Sequence, residues 1–399
     1  MYLVSKRAAQ VAGSLTLAID GKAKTMKQQG IDVVSFGAGE PDFDTPLPIR
    51  QAAVRAMEQG QTRYTPARGT LALRQAICEK LERRNHLSYT PEEIVVTNGA
   101  KQALHDAFCT VLEEDDEVIL MTPCWVSYTE LIRMAGGIPV LVERRQEDGF
   151  ALDIEALELA VTEKTRAILV NSPDNPCGGV FSREELEALA DLAIRHDLIV
   201  ISDEIYEEFI YEGEKSPSIA AVRPEMKERT VLINGVSKSY AMTGWRIGYL
   251  ACPKELATAI SNWQSHATGN PNSIAQAAAL EAISGPQDCV MQMVAEFKKR
   301  RDEMVRRIRE IPQLSCNQPN GAFYVMADIS KTFGKKSQEK EITDSMSFAE
   351  ALLEQKAVAV VPGAGFFADD MIRLSYALSM EDLVKGLDRL KEFVEGLEN

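Results

Sequence analysis

The sequence predicts an α/β protein in which a large domain built on a mainly parallel sheet is joined to a smaller α+β domain. From about residue 93, short apolar runs such as Ile94-Val-Val-Thr97, Glu117-Val-Ile-Leu-Met121 and Leu198-Ile-Val-Ile-Ser202 alternate with helical patterns. Strands that are apolar on both faces and separated by helices build parallel sheets covered on both sides. Beyond Gly285-Pro286 this alternation gives way to a long charged helix and isolated strands, which marks a second unit. A chain of 399 residues has room for both units.

In order, strands are expected at 94–97, 117–121, 138–142, 167–171, 198–202 and 230–234. Helices are expected at 101–112, 125–135, 153–161 and 182–196, the last opened by the capping box Ser182-Arg-Glu-Glu185. In the second unit a helix is expected over 292–311, where the run Lys298-Lys299-Arg300-Arg301 reads as a solvated face. Strands at 322–326 and 358–361 follow, then a polar surface segment at 331–343 and a closing helix at 380–397. The large domain is placed at 47–285. The small domain combines 286–399 with the N-terminal segment 1–46.

Composition excludes several classes. With 45% hydrophobic and 26% charged residues the chain is neither disordered nor fibrous. A net charge of −15 with no basic patch argues against a nucleic-acid partner. The seven cysteines are odd in number and form no CxxC pair, so free thiols in a reducing cytoplasm are expected. No secretory leader is read in the first residues, and no run of 18 apolar residues reads as a membrane span. No metal-ligand spacing is present.

Seven short segments carry residues suited to chemistry. In Ser237-Lys238 through Arg246, a lysine and an arginine follow an apolar strand. A lysine in a cleft can lose its proton and form a Schiff base, and an arginine can grip a phosphate; both residues read equally as surface charges. Asp203-Glu-Ile-Tyr206 follows a strand end, where α/β sheets bind ligands; its acids also suit a loop or helix cap. Asn175, before Pro176, sits in a turn and has an amide able to serve a ligand. Gly99-Ala100-Lys101 opens a helix whose free N–H groups suit an anion. Trp125 follows the next strand end and serves either as a stacking platform or as core. Arg373, among apolar neighbours, suits a carboxylate clamp or a structural ion pair. Gly37-Ala-Gly39 lies in a glycine- and proline-rich loop that also reads as a linker.

As an ordered set, AGEPDFDTP, NGAKQAL, PCWVSY, NSPDNPCG, SDEIY, SKSYAMTGWRIGY and IRLSYA resemble the class I/II aminotransferases, and within them the bacterial aspartate aminotransferase subfamily. The resemblance runs from about residue 5 to 395. It implies the pyridoxal-phosphate-dependent transferase fold type I, with a seven-stranded sheet, and pyridoxal 5'-phosphate as cofactor. It implies that Lys238 binds the cofactor aldehyde and moves the proton, that Asp203 pairs with the ring nitrogen, and that Tyr206 and Asn175 contact the ring oxygen. Trp125 would stack on the ring, while Gly99, Ala100, Lys101, Ser237 and Arg246 surround the phosphate. Tyr64 would reach the phosphate of a neighbouring subunit, in a homodimer with shared active sites. Arg373, Asn175 and Gly39 would hold the substrate α-carboxylate. Lys101, with Ser14 and Thr16, would reach a distal carboxylate.

The reaction implied is ping-pong transfer of an amino group between an L-amino acid and a 2-oxo acid, with L-aspartate and 2-oxoglutarate preferred. Prephenate, aromatic, alanine or methionine specificity stays open, as does a C–S or cyclopropane-forming lyase on the same scaffold. A non-catalytic pyridoxal-phosphate-binding regulator fits less well, because the chain has no room for a DNA-binding domain. Asp174 and Cys177 stand where the family more often has Asn and Thr, and tuning rather than loss is expected of them. The segment around Asn270 also departs, which leaves open a partner-subunit contact there. Cis peptide bonds are expected at Thr122–Pro123 and Asn175–Pro176.

Overall fold

The alternating pattern folds into one central sheet in the computed structural model of the chain. The structure describes residues 3–9, 11, 13, 15–212 and 217–398, with the backbone alone at 6, 7, 15–18 and 20. After a single helical turn at Lys6–Ala9 come α1 (Leu15–Gln28) and β1 (Val34–Ser35), then a glycine-rich loop, α2 (Leu47–Glu58) and α3 (Leu71–Asn85). The alternation follows as β2 (Ile94–Thr97), α4 (Ala100–Val111), β3 (Glu117–Thr122), α5 (Ser127–Met134) and β4 (Ile138–Glu143). It continues through α6 (Ile154–Ala160), β5 (Thr165–Asn171), α7 (Arg183–Arg195), β6 (Ile199–Asp203) and β7 (Thr230–Gly235). The expected capping box is made at α7: Glu185 N donates to Ser182 Oγ at 3.1 Å and Ser182 N donates to Glu185 Oε2 at 2.8 Å.

Like α2 and α3, three further elements that complete this unit were absent from the sequence reading: β8 (Gly248–Ala251), α8 (Lys254–Ala267) and α9 (Ser273–Ser284). The seven strands run in the order β2-β8-β7-β6-β5-β3-β4. Only β8 is antiparallel, to both of its neighbours. Strands β3, β5, β6 and β7 are parallel, so their carboxyl ends, Thr122, Asn171, Asp203 and Gly235, gather along one edge. That edge is where open α/β sheets bind ligands.

The C-terminal part opens with α10 (Asp288–Arg309), β9 (Ser315–Cys316) and β10 (Tyr324–Asp328). It closes with α11 (Ser345–Lys356), β11 (Val358–Ala359), β12 (Val361–Pro362), β13 (Met371–Ser375) and α12 (Met380–Glu395). An antiparallel sheet has the order β12-β13-β10-β9, and β1 pairs in parallel with β11. Its core joins Phe36 to Phe297, Phe323, Phe348 and Tyr376.

Four local expectations are corrected. The run 298–301 is a solvated face only in its lysine half: Lys299 is exposed, but Arg300 and Arg301 are 6% and 0% exposed. Arg301 donates to Pro319 O, Glu212 and Asp302, and its guanidinium lies 5.0 Å from the Tyr211 ring, so buried charge is matched by acceptors. The segment 331–343 is not wholly surface, because Thr332 and Ile342 are fully buried beside a small hairpin. The single strand expected at 358–361 is two, β11 and β12, which join different sheets. The helix expected from Trp125 begins at Ser127, which leaves Trp125 in the turn after β3. The peptide bonds at Thr122–Pro123 and Asn175–Pro176 are cis, as is Ser172–Pro173.

Candidate active site

β6 ends on Asp203, which is 3% exposed. Tyr128, from α5, donates to Asp203 Oδ2 at 2.8 Å, and Ile205 N donates to Oδ1 at 3.3 Å. Burial pushes the Asp203 carboxyl up to about 6, although both hydrogen bonds and the charge of Lys238 pull the other way. No cation is hydrogen-bonded to this carboxylate among the described residues. At the end of β5, the Asn171 amide donates to Asp203 O at 2.9 Å, and Asn171 Oδ1 accepts from Asn175 N at 2.9 Å.

β7 runs out into Ser237 and Lys238, which face a cavity of about 340 Å³. Lys238 Nζ donates to Gly39 O at 2.5 Å. Burial lowers the Lys238 ammonium to about 8; Glu40 opposes this, while Arg246 and Arg373 add to it. Thr243 holds Glu40 in turn, donating to Oε2 at 2.6 Å. Tyr206 and Tyr324 share a hydroxyl–hydroxyl hydrogen bond at 2.9 Å on the same wall.

One end of the cavity suits an anion. Gly99 caps α4 with φ +86°, and a Cβ there would run into the Arg246 guanidinium. A Cβ on Gly248 would likewise meet the Gly99–Ala100 backbone, so β8 presses directly on the helix start. The free N–H groups of α4 and Arg246 therefore converge. Arg246 donates to Thr243 O at 2.9 Å and Asn98 O at 3.4 Å. Lys101 Nζ lies 4.6 Å from the centre of the Trp125 ring; burial, then the charge of Arg246, lowers its ammonium.

Arg373 lies within β13 and is 2% exposed. It donates to Asn175 Oδ1 at 2.9 Å and Gly37 O at 3.1 Å, and its Nε has no partner. The rings of Tyr324 and Phe366 lie 4.4 and 4.9 Å from its guanidinium carbon. No carboxylate pairs with it among the described residues. A buried fork-shaped cation with neutral partners is built to receive a carboxylate.

Of the residues expected from sequence, Gly39, Ala100, Lys101, Trp125, Asn175, Asp203, Tyr206, Ser237, Lys238, Arg246 and Arg373 all line this cavity. Gly99 stands directly behind Arg246. Tyr64 lies outside it and is 99% exposed. Asn270 is also outside, its amide donating to Pro271 O at 2.7 Å. Ser14 falls outside the described residues, and Thr16 is described by its backbone alone. Tyr128, Tyr324 and Asn171 were not anticipated. Tyr128 sits inside the PCWVSY motif, which was the available signal; Tyr324 shows only as part of an apolar strand. A larger open cleft of about 890 Å³ is lined by Glu143, Glu147, Asp328, Asp369 and Asp370 and by none of the anticipated residues.

The donor set fits pyridoxal phosphate. A buried carboxylate lacks the cationic N–H it calls for, a lysine of lowered basicity faces the cavity, and a glycine-capped helix start converges with an arginine. Among the described residues no cluster could hold a metal, and no helix is long and apolar enough to cross a membrane.

The family model for aminotransferase class I and II matches residues 31–390. The chain is 46% identical to an aspartate aminotransferase of Bacillus subtilis, over 98% of this chain and 99% of that one. It is 45% identical to an aspartate/prephenate aminotransferase of Cereibacter sphaeroides over the full length of both. Among solved structures, an aspartate aminotransferase of Rhizobium meliloti superposes with a TM-score of 0.96 at 41% identity, covering 100% of both chains. An aspartate aminotransferase of Thermus thermophilus with maleate gives 0.92 at 44%, covering 98% of this chain and 100% of that one. The fold expected from the sequence, fold type I, is the one these neighbours share.

Proposed function

Because the chain belongs to the class I and II aminotransferases, we propose that it transfers the amino group of L-aspartate to 2-oxoglutarate by a ping-pong mechanism on pyridoxal phosphate. The observation that carries the reading is Arg373: a buried guanidinium without a counter-charge, lining the same cavity as Lys238. When bound, pyridoxal phosphate supplies an aldehyde that condenses with amines and a ring that accepts the electron pair left at the substrate Cα. Arg373 and Asn175 orient the α-carboxylate, with the Gly39 backbone beside it. Lys238 Nζ would anchor the cofactor at its aldehyde carbon and, once freed, would take the substrate Cα proton and pass it to that cofactor carbon; with basicity near 8 it can do both at neutral pH. Asp203 keeps the ring nitrogen protonated, and Tyr128 keeps Asp203 ionised. Tyr206 and Asn175 would serve the ring oxygen, and Trp125 would stack on the ring. Gly99, Ala100, Ser237 and Arg246 receive the phosphate.

Lys101, at the Trp125 edge, takes the distal carboxylate of aspartate in this reading. Prephenate is the second substrate to consider, since relatives such as that of Cereibacter sphaeroides are named for it. A second subunit completes the site, which gives the fully exposed Tyr64 a phosphate to reach. The domains divide at 46/47 and 285/286, and the enzyme works in the cytoplasm on small amino and 2-oxo acids.

Single half-reactions test this. Each amino donor is mixed with the cofactor-loaded enzyme without an acceptor, and loss of the lysine-bound cofactor absorbance is followed. L-Aspartate should react fastest, and Lys238→Ala should abolish both the absorbance and turnover. Release of pyruvate and ammonia from a β-substituted donor without a 2-oxo acid would indicate a lyase instead.

A further inference from the structure

The departure at Asp174 has a partner. Asp174 and Arg144 are 3% and 5% exposed, and Arg144 Nη2 lies 2.8 Å from Asp174 Oδ2. Arg144 directly follows β4. Its backbone N donates to Thr122 O at 2.7 Å, its Nη2 to Pro123 O at 2.9 Å and its Nη1 to Phe150 O at 3.2 Å. Asp174 is held by its own turn: its N donates to Gly179 O at 2.9 Å, and its Oδ1 accepts from Gly179 N at 3.1 Å. The next residue is Asn175, whose Oδ1 accepts from Arg373. Two residues beyond Pro123 is Trp125. One guanidinium thus spans the two turns that carry Trp125 and Asn175 to the cavity, without lining the cavity itself. Cys124 and Cys177, both 6% exposed, flank it; burial pushes both thiols up, so they stay neutral and leave the charge pairing to Asp174.

We propose that the Arg144–Asp174 ion pair is a positioning pair for transamination, fixing the spacing between Trp125 and Asn175 and hence how the substrate carboxylate meets Arg373. The proposal rests on the function proposed above. A buried ion pair is weak evidence for stability, because its desolvation offsets its attraction. Geometric precision at the reacting groups is where such a brace acts.

Removing one partner leaves a lone buried charge that can unfold the chain, so the decisive variant removes both. Arg144→Met with Asp174→Asn abolishes the charge and keeps an Oδ1 for Gly179 N, but the Pro123 and Phe150 carbonyls then lose their guanidinium donor. A second variant, Arg144→Lys, keeps the charge without the fork. The cofactor-loaded proteins are compared by melting temperature, by KM and kcat for L-aspartate, and by cofactor affinity. Both variants should melt within a few degrees of wild type, while kcat/KM falls about 10- to 100-fold, chiefly in KM. Wild-type kcat and KM in the double variant would overturn the proposal and leave the pair a purely structural contact. If wild type itself fails to transaminate, it is the functional reading that fails.

Discussion

Replacing Arg373 by methionine separates substrate recognition from folding. The guanidinium offers an unpartnered Nε, and each Nη has spent one bond on a neutral oxygen. A carboxylate seated there takes two charge-assisted hydrogen bonds, each worth about 1.5–3 kcal/mol. Losing both costs about 3–6 kcal/mol, which at about 1.4 kcal/mol per tenfold is a fall of roughly 10²–10⁴ in kcat/KM. The free protein should hardly notice. The variant leaves Asn175 Oδ1 and Gly37 O without a donor, but it also removes an unpaired charge that burial already makes less basic. Steady-state transamination of L-aspartate gives the first number. Thermal melting with and without a dicarboxylate such as maleate gives the second: at a hundred times its Kd the ligand should stabilise wild type by about 2.7 kcal/mol and the variant not at all. A kcat/KM within about threefold of wild type, or equal ligand-induced shifts, would refute the reasoning.

Three further outcomes follow from the same geometry. Folding raises the Asp203 carboxyl from 3.8 to about 6, so in that interval the folded chain binds more protons than the unfolded one and loses stability as pH rises. A change of that size is worth about 3 kcal/mol, so cofactor-free Asp203→Asn should match wild type at pH ~4 and out-melt it at pH ~7, while losing at least about 10²-fold in turnover. A pH-independent difference in melting contradicts this. Tyr128→Phe removes a donor to the ionised carboxylate and raises Asp203 further. The acid limb of the pH–rate profile should move to higher pH, with turnover down about tenfold; an unmoved limb counts against the role. Gly99→Ala forces a side chain into φ +86° and against Arg246. Cofactor titration should show at least about tenfold weaker binding, since a non-glycine residue in that nearly glycine-only backbone region costs about 1–3 kcal/mol; unchanged affinity would exclude a phosphate at that helix start.

The parallel strands were legible because burial on both faces leaves an unbroken apolar run, as in Leu198–Ser202. β8 was not, because four residues directly after the Lys238–Arg246 segment carry no alternation of their own. Helix α2 was missed for want of a flanking strand to frame it, and α8 because β8, the strand before it, had not been read. Arg301 was misjudged because a charge run looks solvated until Glu212 and Pro319, distant in sequence, supply acceptors. Within the site, Asp203, Asn175 and Lys238 announced themselves as polar residues just past strand ends. Tyr128 and Tyr324 did not, because a phenol in an apolar pattern reads as core, and their partners lie 75 and 118 residues away along the chain.

The parallel pairing of Val34 and Ser35 with Val358 and Ala359 has a bearing on synthesis. The stretch just after Ser35 offers its carbonyls at Gly37 to Arg373 and at Gly39 to Lys238, and just before it Asp32 is grasped by Arg389. A nascent chain therefore carries its lysine and its sheet long before it can clasp an amino acid. The earliest-made wall of the pocket waits for nearly the last helix to emerge from the ribosome.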